Sequence, residues 1–235
     1  MNLYAKLIIS LSLFSGVAAG LLSLTFGITK PLIERRDRED RQNALKKVFF
    51  LQNEGGDFKL RPRELADGVT LLFEPEKTDQ PLYYAVAGEG GGYNSSVPVT
   101  LMVGFTGPGG EAGKLLQGYA PPEKLPPAGA KGRYLVGFSV VNSEETPGLG
   151  EKIKDSRPPY TWKQFFFGDL PPASPDTSTP FQRQFRGRTA ESLQLKKNGG
   201  DLDAVTAATI TTRGVLAAIR DAEEKLEATL SGSKQ

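Results

Sequence analysis

Four threonine hydroxyls stand close together in the segment Asp203-Ala204-Val205-Thr206-Ala207-Ala208-Thr209-Ile210-Thr211-Thr212. Helical periodicity begins directly after this segment, so we expect a helix start, whose first N–H groups lack partners inside the helix. Such a start can bind phosphate, and the small alanine side chains leave space for one. Capping of the helix by a threonine hydroxyl is the common alternative. From the residues alone, capping is favoured.

A second candidate is the segment Glu145-Thr146-Pro147-Gly148-Leu149-Gly150, which follows a predicted strand. A turn with one proline and two glycines lets backbone amides approach a flat or anionic ligand closely. An ordinary connecting turn explains the same residues. On sequence physics alone, the ordinary turn is favoured here too.

The composition limits the chemistry available to these segments. The 235 residues include no His and no Cys, which excludes Ser-His-Asp and Cys-His nucleophiles, Cys/His zinc sites and disulfides. The 29 Lys and Arg residues nearly balance the 27 Asp and Glu residues, so no basic surface for nucleic acid is predicted. Redox or transfer chemistry would need a carboxylate, a hydroxyl, a lysine or a bound organic cofactor.

Two further patterns are assigned to structure rather than to chemistry. The run Gly88-Glu89-Gly90-Gly91-Gly92 lacks the Lys-Ser/Thr of a phosphate-binding loop and is predicted to be a hairpin turn. An aromatic cluster is predicted to pack in the core, although a cofactor wall is the alternative. It consists of Trp162, Phe165, Phe166, Phe167, Phe181 and Phe185.

The N-terminal region predicts a membrane anchor over residues 1–30. Leu7 to Thr29 carry no charge, and this run is long enough to cross a hydrocarbon core of about 30 Å. A cleaved signal peptide is the alternative, but its apolar stretch is usually only about 7 to 15 residues long. We therefore predict a retained single span. The excess of Lys and Arg after the span would place the domain in the cytoplasm, although a long following domain weakens that rule.

The remaining chain predicts a charged helical stalk over residues 31–54 and one α+β domain over residues 55–235. Charged pairs at i,i+4 favour the stalk helix. Short apolar runs between Gly and Pro predict a twisted, mainly antiparallel sheet, and a five-residue apolar stripe predicts a packing C-terminal helix. The predicted strands are 71–73, 82–87, 97–105, 115–119 and 134–141, and the stripe is Val215, Ile219, Ala222, Leu226 and Leu230.

Together, the two candidate segments resemble the FMN-binding domain of the Rnf and Na⁺-translocating NADH:quinone oxidoreductase complexes, and in particular that of the Rnf G subunits. That family combines one N-terminal anchor, a Glu-Thr-Pro-Gly-Leu-Gly turn and a motif of the form Asp-x-x-(Ser/Thr)-Gly-Ala-Thr. Here the motif falls on Asp203, Thr206, Ala207, Ala208 and Thr209. The segment Gln184-Phe185-Arg186-Gly187-Arg188 is similar to the family's Gln-Phe-x-Gly-Lys, with Arg188 in place of Lys.

The resemblance implies a covalent FMN, joined through a phosphoester to Thr209 by a separate flavin transferase. It implies an electron carrier within a membrane-bound ion-translocating complex, with other membrane subunits as partners and the domain on the extracytoplasmic side. The cofactor-binding residues that follow from it are Glu145, Thr146, Gly148, Leu149, Thr206, Ala208, Thr209 and Thr211.

Two departures from the family pattern keep other functions open. Ala207 replaces the usual Gly, and Ser143-Glu144 stands where a His or Lys is common before Glu145. One alternative is an anchored scaffold that has lost FMN because of Ala207. Another is a stand-alone anchored flavin reductase that uses soluble donors.

Overall fold

The structure is a computed structural model, and it describes residues 3–49, 60–65, 68–73, 80–93, 97–108, 132–145, 150–154 and 178–232. Its first element is one long helix, α1 (Leu3–Val48), which contains Pro31. By length and composition this helix can cross a membrane, and its large apolar residues from Leu7 to Ile33 are exposed. The predicted span and residues 31–48 of the predicted stalk therefore lie on one helix.

The described strands form one antiparallel sheet in which neighbours in sequence are neighbours in space. The order follows the chain because each strand pairs with the next, as short connections favour. The strands are β1 (Arg61–Glu64), β2 (Val69–Phe73), β3 (Tyr83–Gly90), β4 (Val99–Thr106) and β5 (Leu135–Asn142).

Helical elements follow the sheet. A 3₁₀ turn lies at Gly150–Ile153, and a short helix α2 (Pro180–Arg183) is capped by Thr179, whose hydroxyl accepts the amide of Gln182. Two further 3₁₀ turns, Ala190–Ser192 and Lys196–Asn198, lead to the long helix α3 (Thr209–Gly232). The helix predicted from the apolar stripe is therefore confirmed.

Both faces of the sheet are buried at strands β3 to β5, where successive side chains alternate between two cores as a pleated strand requires. On β3, Tyr84 and Val86 point into the larger core with α3, whereas Tyr83 and Ala85 point into a second core. The second core also holds three residues from the end of α1 and just beyond it: Ala44, Val48 and Phe49. The domain boundary at residue 55 stays a prediction, but residues 43–49 belong to the compact unit Asn43–Gln235.

Glycines let α3 approach the end of β3. A Cβ at Gly88 would overlap the carbonyl oxygen of Ala218, and one at Gly90 would overlap that of Gly214. The sequence predicts a hairpin turn for this glycine-rich run, but its first three residues extend β3. These glycines lack side chains so that the strand can pack closely against the helix. A search for turn residues does not distinguish such glycines from those of a turn.

Four of the predicted strands correspond to β2, β3, β4 and β5, and the α+β class is confirmed. The predicted strand at 115–119 lies outside the described residues. The sequence patterns do not predict strand β1, because its residues, Arg-Pro-Arg-Glu, are all exposed and mostly charged. Charge and proline are typical of an edge strand, which lacks the apolar alternation of a buried one.

Candidate functional site

The threonine segment forms the start of α3. The carbonyl oxygen of Ala208 accepts the first helical hydrogen bond, from the amide of Thr212 at 3.0 Å. Ala208 therefore occupies the N-cap position, and alanine has no side-chain acceptor for the free amides of the first turn. Among the described residues, no threonine hydroxyl provides the expected cap at that position, which favours binding of a ligand to these amides.

The fold separates the four threonine hydroxyls into two classes. Thr212 is buried, donates to the carbonyl of Ala208 at 2.9 Å and accepts the amide of Val205 at 3.1 Å. Thr211 is also buried and donates to a carboxylate. Thr206 is exposed in the turn before the helix, whereas Thr209 is half-buried at the first helical position. Within the described part of the chain, the Thr209 hydroxyl makes no hydrogen bond.

Ala207 has a left-handed backbone conformation, with φ at 61°, just before the helix. Among the described residues it is the one non-glycine with positive φ. The family's usual glycine adopts that conformation without steric cost, which explains why glycine is common there. The methyl group of Ala207 is exposed, so the substitution keeps the turn and places its extra carbon towards solvent.

The Gln-Phe-x-Gly segment holds the threonine segment through a side-chain clasp. The Gln184 side chain accepts the amide of Asp203 at 2.8 Å and donates to its carbonyl at 2.9 Å. Arg188 donates to the carbonyl of Gln184 at 2.8 Å and forms a two-pronged ion pair with Asp201. Two of the three motifs that carry the family resemblance are thus bonded to each other.

Glu145 bonds within the protein through both carboxylate oxygens. Oε1 accepts the amide of Tyr93 at 3.0 Å, and Oε2 accepts the hydroxyl of Thr211 at 2.6 Å. A Cβ at Gly92 would overlap Oε1, and one at Gly150 would lie 2.5 Å from Oε2. Glycines on two loops therefore leave the space that this carboxylate fills. The sequence leaves open whether Glu145 bonds a flavin ring or a turn, and here it bonds a loop amide and a helix hydroxyl.

Several predicted residues receive no structural description. Thr146, Gly148 and Leu149 lie outside the described residues, as do Trp162, Phe165, Phe166 and Phe167. Phe181 and Phe185 are described, and they pack edge to face with Phe138 in or against the larger core. This is the core role expected of them. Among the described residues, no group of three or more acidic side chains is arranged to hold a metal ion.

The chain is similar to known proteins over both candidate segments, the one that begins at Glu145 and the one that contains Thr209. Residues 128–224 match the FMN-binding domain family, and this range contains both Glu145 and Thr209. Three relatives are each named as the G subunit of an ion-translocating oxidoreductase complex. The protein of Vibrio cholerae is 26% identical over 91% of this chain and 86% of its own length. That of Methanosarcina acetivorans is 26% identical over 95% of this chain and 94% of its own length. That of Yersinia pestis is 28% identical over 91% of this chain and 86% of its own length.

The chain is a homologue of these G subunits. It contains an FMN-binding domain, and the family resemblance found in the sequence is confirmed. No solved structure matches the chain significantly. The relatives are named as parts of an oxidoreductase complex, which agrees with the electron-transport role and the membrane location that the resemblance implies.

The residues present fit an FMN phosphate at the start of α3. Among the described residues, Ala208 gives the first-turn amides no side-chain cap, and the half-buried Thr209 lies in the same turn. The sequence patterns did not point to Tyr93 or Gly92 as parts of this region, and the family resemblance included Gln184 without giving its side chain a role. The glycine-rich run was the signal that could have drawn attention to Gly92. The hydrogen bonds of Tyr93 and Gln184 join them to residues far away in sequence, so local patterns do not predict them.

Proposed function

We propose that this G-subunit homologue carries FMN as a phosphoester on Thr209 and serves as an electron carrier in an Rnf-type ion-translocating complex. The observation that carries the proposal is that the threonines of this segment differ in burial and hydrogen bonding. Thr211 and Thr212 are buried and bonded, whereas Thr209 is half-buried, without a partner among the described residues and next to uncapped amides. A phosphoester needs an accessible hydroxyl and neighbouring positive potential, and Thr209 has both.

Each surrounding group supports a different part of the bound flavin. The amides of Ile210 and Thr211 lie in the first helical turn and favour the phosphate charge. The segment from Thr146 to Leu149, which the sequence predicts to be a turn, would line the ring. When bound, FMN supplies one- and two-electron transfer, which explains how a chain without His or Cys carries a redox function.

The proposed placement is a single-pass protein of the cytoplasmic membrane, with the FMN domain on the extracytoplasmic side. The partners would be the other membrane subunits of a complex that couples ferredoxin/NAD electron transfer to ion transport, and a flavin transferase for maturation. A covalent bond suits a domain outside the cytoplasm, because no free FMN pool would be present there to replace a lost cofactor.

Intact-protein mass spectrometry tests the covalent bond. The chain is co-expressed with a flavin transferase, and we expect a mass increase of one FMN less one water, with the adduct on the peptide containing Thr209. Thr209→Ala should abolish the adduct, whereas Thr206→Ala is the matched control and should retain it. An adduct on Thr206, or no adduct on the wild type, contradicts the assignment, and the second result favours the scaffold function.

Protease accessibility tests the proposed sidedness. With spheroplasts of cells that produce the chain, external protease should digest the domain and leave a membrane-bound fragment of α1. Protection of residues 43–235 until the membrane is opened would place the domain in the cytoplasm, as the count of Lys and Arg suggests.

A further inference from the structure

We propose that Glu145 is a positioning residue for the flavin site, which holds the start of α3 from the side opposite the acceptor and does not contact the flavin itself. The inference rests on the proposed function, since it takes Thr209 as the acceptor. It concerns how one carboxylate fixes the place of that hydroxyl.

Both carboxylate oxygens of Glu145 already have a protein donor. Oε1 accepts the Tyr93 amide at 3.0 Å and Oε2 accepts the Thr211 hydroxyl at 2.6 Å. Both are hydrogen bonds to an ionised group, which are stronger than neutral ones. Each oxygen still has a second lone pair, so these bonds fix the position of the carboxylate without using its full acceptor capacity.

The geometry of α3 places Glu145 away from the acceptor hydroxyl. Thr209 and Thr211 are two residues apart, and at about 100° per residue their side chains project about 200° apart around the axis of α3. Because Glu145 bonds Thr211, it lies against the side of the first turn that faces away from the Thr209 hydroxyl. Its negative charge is therefore kept apart from a phosphate on Thr209, although both lie at the positive end of the same helix.

The carboxylate of Glu145 also joins three segments of the fold. Tyr93 and Gly92 follow β3, Gly150 begins the 3₁₀ turn, and Thr211 belongs to α3. A Cβ at Gly214, one turn after Thr211, would overlap the carbonyl oxygen of Gly91, so the loop also lies directly on the helix. We name this set of contacts around Glu145 the carboxylate bracket.

The carboxylate bracket fixes the two ends of the Glu145 to Gly150 segment. A Cβ at Gly150 would lie 2.8 Å from the Cβ of Glu145 and 2.9 Å from the Thr211 hydroxyl oxygen. The segment that the resemblance assigns to the flavin ring therefore begins and ends beside the first turn of α3. Loss of the carboxylate would release the helix start and both ends of this segment together.

Flavin attachment rates in a double-mutant cycle test the bracket. Glu145→Ala and Thr211→Val should each slow attachment to Thr209 by about tenfold, the factor for losing a hydrogen bond to a charged group. The double variant should be no slower than the slower single variant, because each change breaks the same contact. Thr211→Ser keeps the hydroxyl and should attach flavin faster than Thr211→Val does. Rates are measured well below the melting temperature of every variant.

Two matched controls accompany the cycle. Thr229→Val removes a hydroxyl on the same helix, about five turns from Thr211, where it donates only to the Lys225 carbonyl at 2.8 Å. Glu144→Gln removes the exposed neighbouring carboxylate. Both should attach flavin at the wild-type rate.

Additive effects in the cycle, or wild-type rates in both single variants, would overturn the proposal. So would a shift of flavin potential in Glu145→Gln that is absent from Thr211→Val, since it would indicate direct contact between Glu145 and the ring. A readout without flavin is amide hydrogen exchange of Tyr93, which should accelerate in both Glu145→Ala and Thr211→Val of the unloaded chain. If the wild type takes no flavin, the covalent proposal fails, and exchange at Tyr93 that is unchanged in Thr211→Val then overturns the bracket separately.

Discussion

Ala207 holds a backbone conformation that glycine adopts more easily than any residue with a Cβ. Its φ of 61° lies in the left-handed region, where the Cβ approaches the following carbonyl oxygen at a cost of about 1–2 kcal/mol. The domain retains the turn despite that cost. The bonds of Thr212 to Val205 and Ala208, on either side of Ala207, hold the backbone in place.

We expect Ala207→Gly to raise the free energy of unfolding by about 0.5–1 kcal/mol, which is the relief of strain less the extra entropy of glycine in the unfolded chain. Ala204→Gly is the matched control, because Ala204 is exposed in the same segment and has negative φ. It should lower the free energy of unfolding slightly. Urea unfolding of the three proteins measures both effects, and a less stable Ala207→Gly would contradict the strain.

Glu223, on α3, has a pKa raised above its usual value of 4.5, chiefly because burial disfavours the charged carboxylate. Arg133 lowers the pKa, and the like charges of Glu227, Glu191 and Glu224 raise it further. The folded state therefore binds a proton more readily than the unfolded state, and the free energy of unfolding falls as pH rises from 4.5 through the raised pKa.

Glu223→Gln should therefore be more stable than the wild type at pH 7, and the difference should disappear below about pH 4, where the glutamate is neutral in both states. Thermal unfolding at a series of pH values measures this. A variant that melts below the wild type at pH 7 would show that attraction to Arg133 outweighs the burial of the charge.

Among the secondary-structure elements, α2 and the threonine segment depend on each other through Gln184. Its side chain satisfies both the amide and the carbonyl of Asp203, so it acts as a substitute strand partner for that residue. Lys196 also pairs with the Asp203 carboxylate, but this contact is exposed and contributes little to stability.

Gln184→Ala should lower the free energy of unfolding by about 1–2 kcal/mol, because two backbone groups lose their partners. It should also loosen the loop before Thr209, so attachment of flavin should slow. Gln194→Ala is the control: that side chain is exposed, and the backbone carbonyl that accepts the Leu202 amide remains. Equal stability of the two variants would mean that the clasp has no role.

The elements that the sequence predicted well are those with local patterns. The apolar stripe predicted α3, and short apolar runs between glycines predicted β2 to β5. The sequence patterns did not predict strand β1, because an exposed edge strand needs no apolar side chains. The hydrogen bond between Glu145 and Thr211 was not predicted either, since it joins residues 66 positions apart and depends on the complete fold. The threonine segment was a candidate from its residue types, and the family resemblance assigned Thr209 as the acceptor, whereas the unequal burial of the hydroxyls required the structure.

For the molecule as a whole, the second core joins the C-terminal end of α1 to the sheet. Ala44, Val48 and Phe49 are buried with Tyr83, and Phe49 packs on the Tyr83 ring at 5.0 Å between centroids. A Cβ at Gly104 would lie 2.5 Å from Val48, so the sheet is shaped to receive this segment. The end of α1 is therefore part of the folded domain.

A soluble chain that starts at Asn43 should fold, whereas one that starts at Gly55 should lose at least about 3 kcal/mol of unfolding free energy, the cost of removing one large buried side chain. Urea unfolding compares the two. A chain from Asn43 with Phe49→Ala is the intermediate control and should lie between them. Equal stability of both truncations would show that residues 43–54 contribute nothing to the core.

Helix α3 is the last of the described elements to be synthesised, and this affects when flavin can be attached. The span and all five described strands are made before α3, and domains begin to fold from the N-terminal side as the chain emerges. Until α3 is made, Glu145 lacks Thr211, the larger core is open, and the proposed acceptor does not exist. If Thr209 takes the flavin, the transferase meets its substrate only in chains that have completed the domain. The yellow colour of a purified sample would then report the fraction of molecules that finished folding.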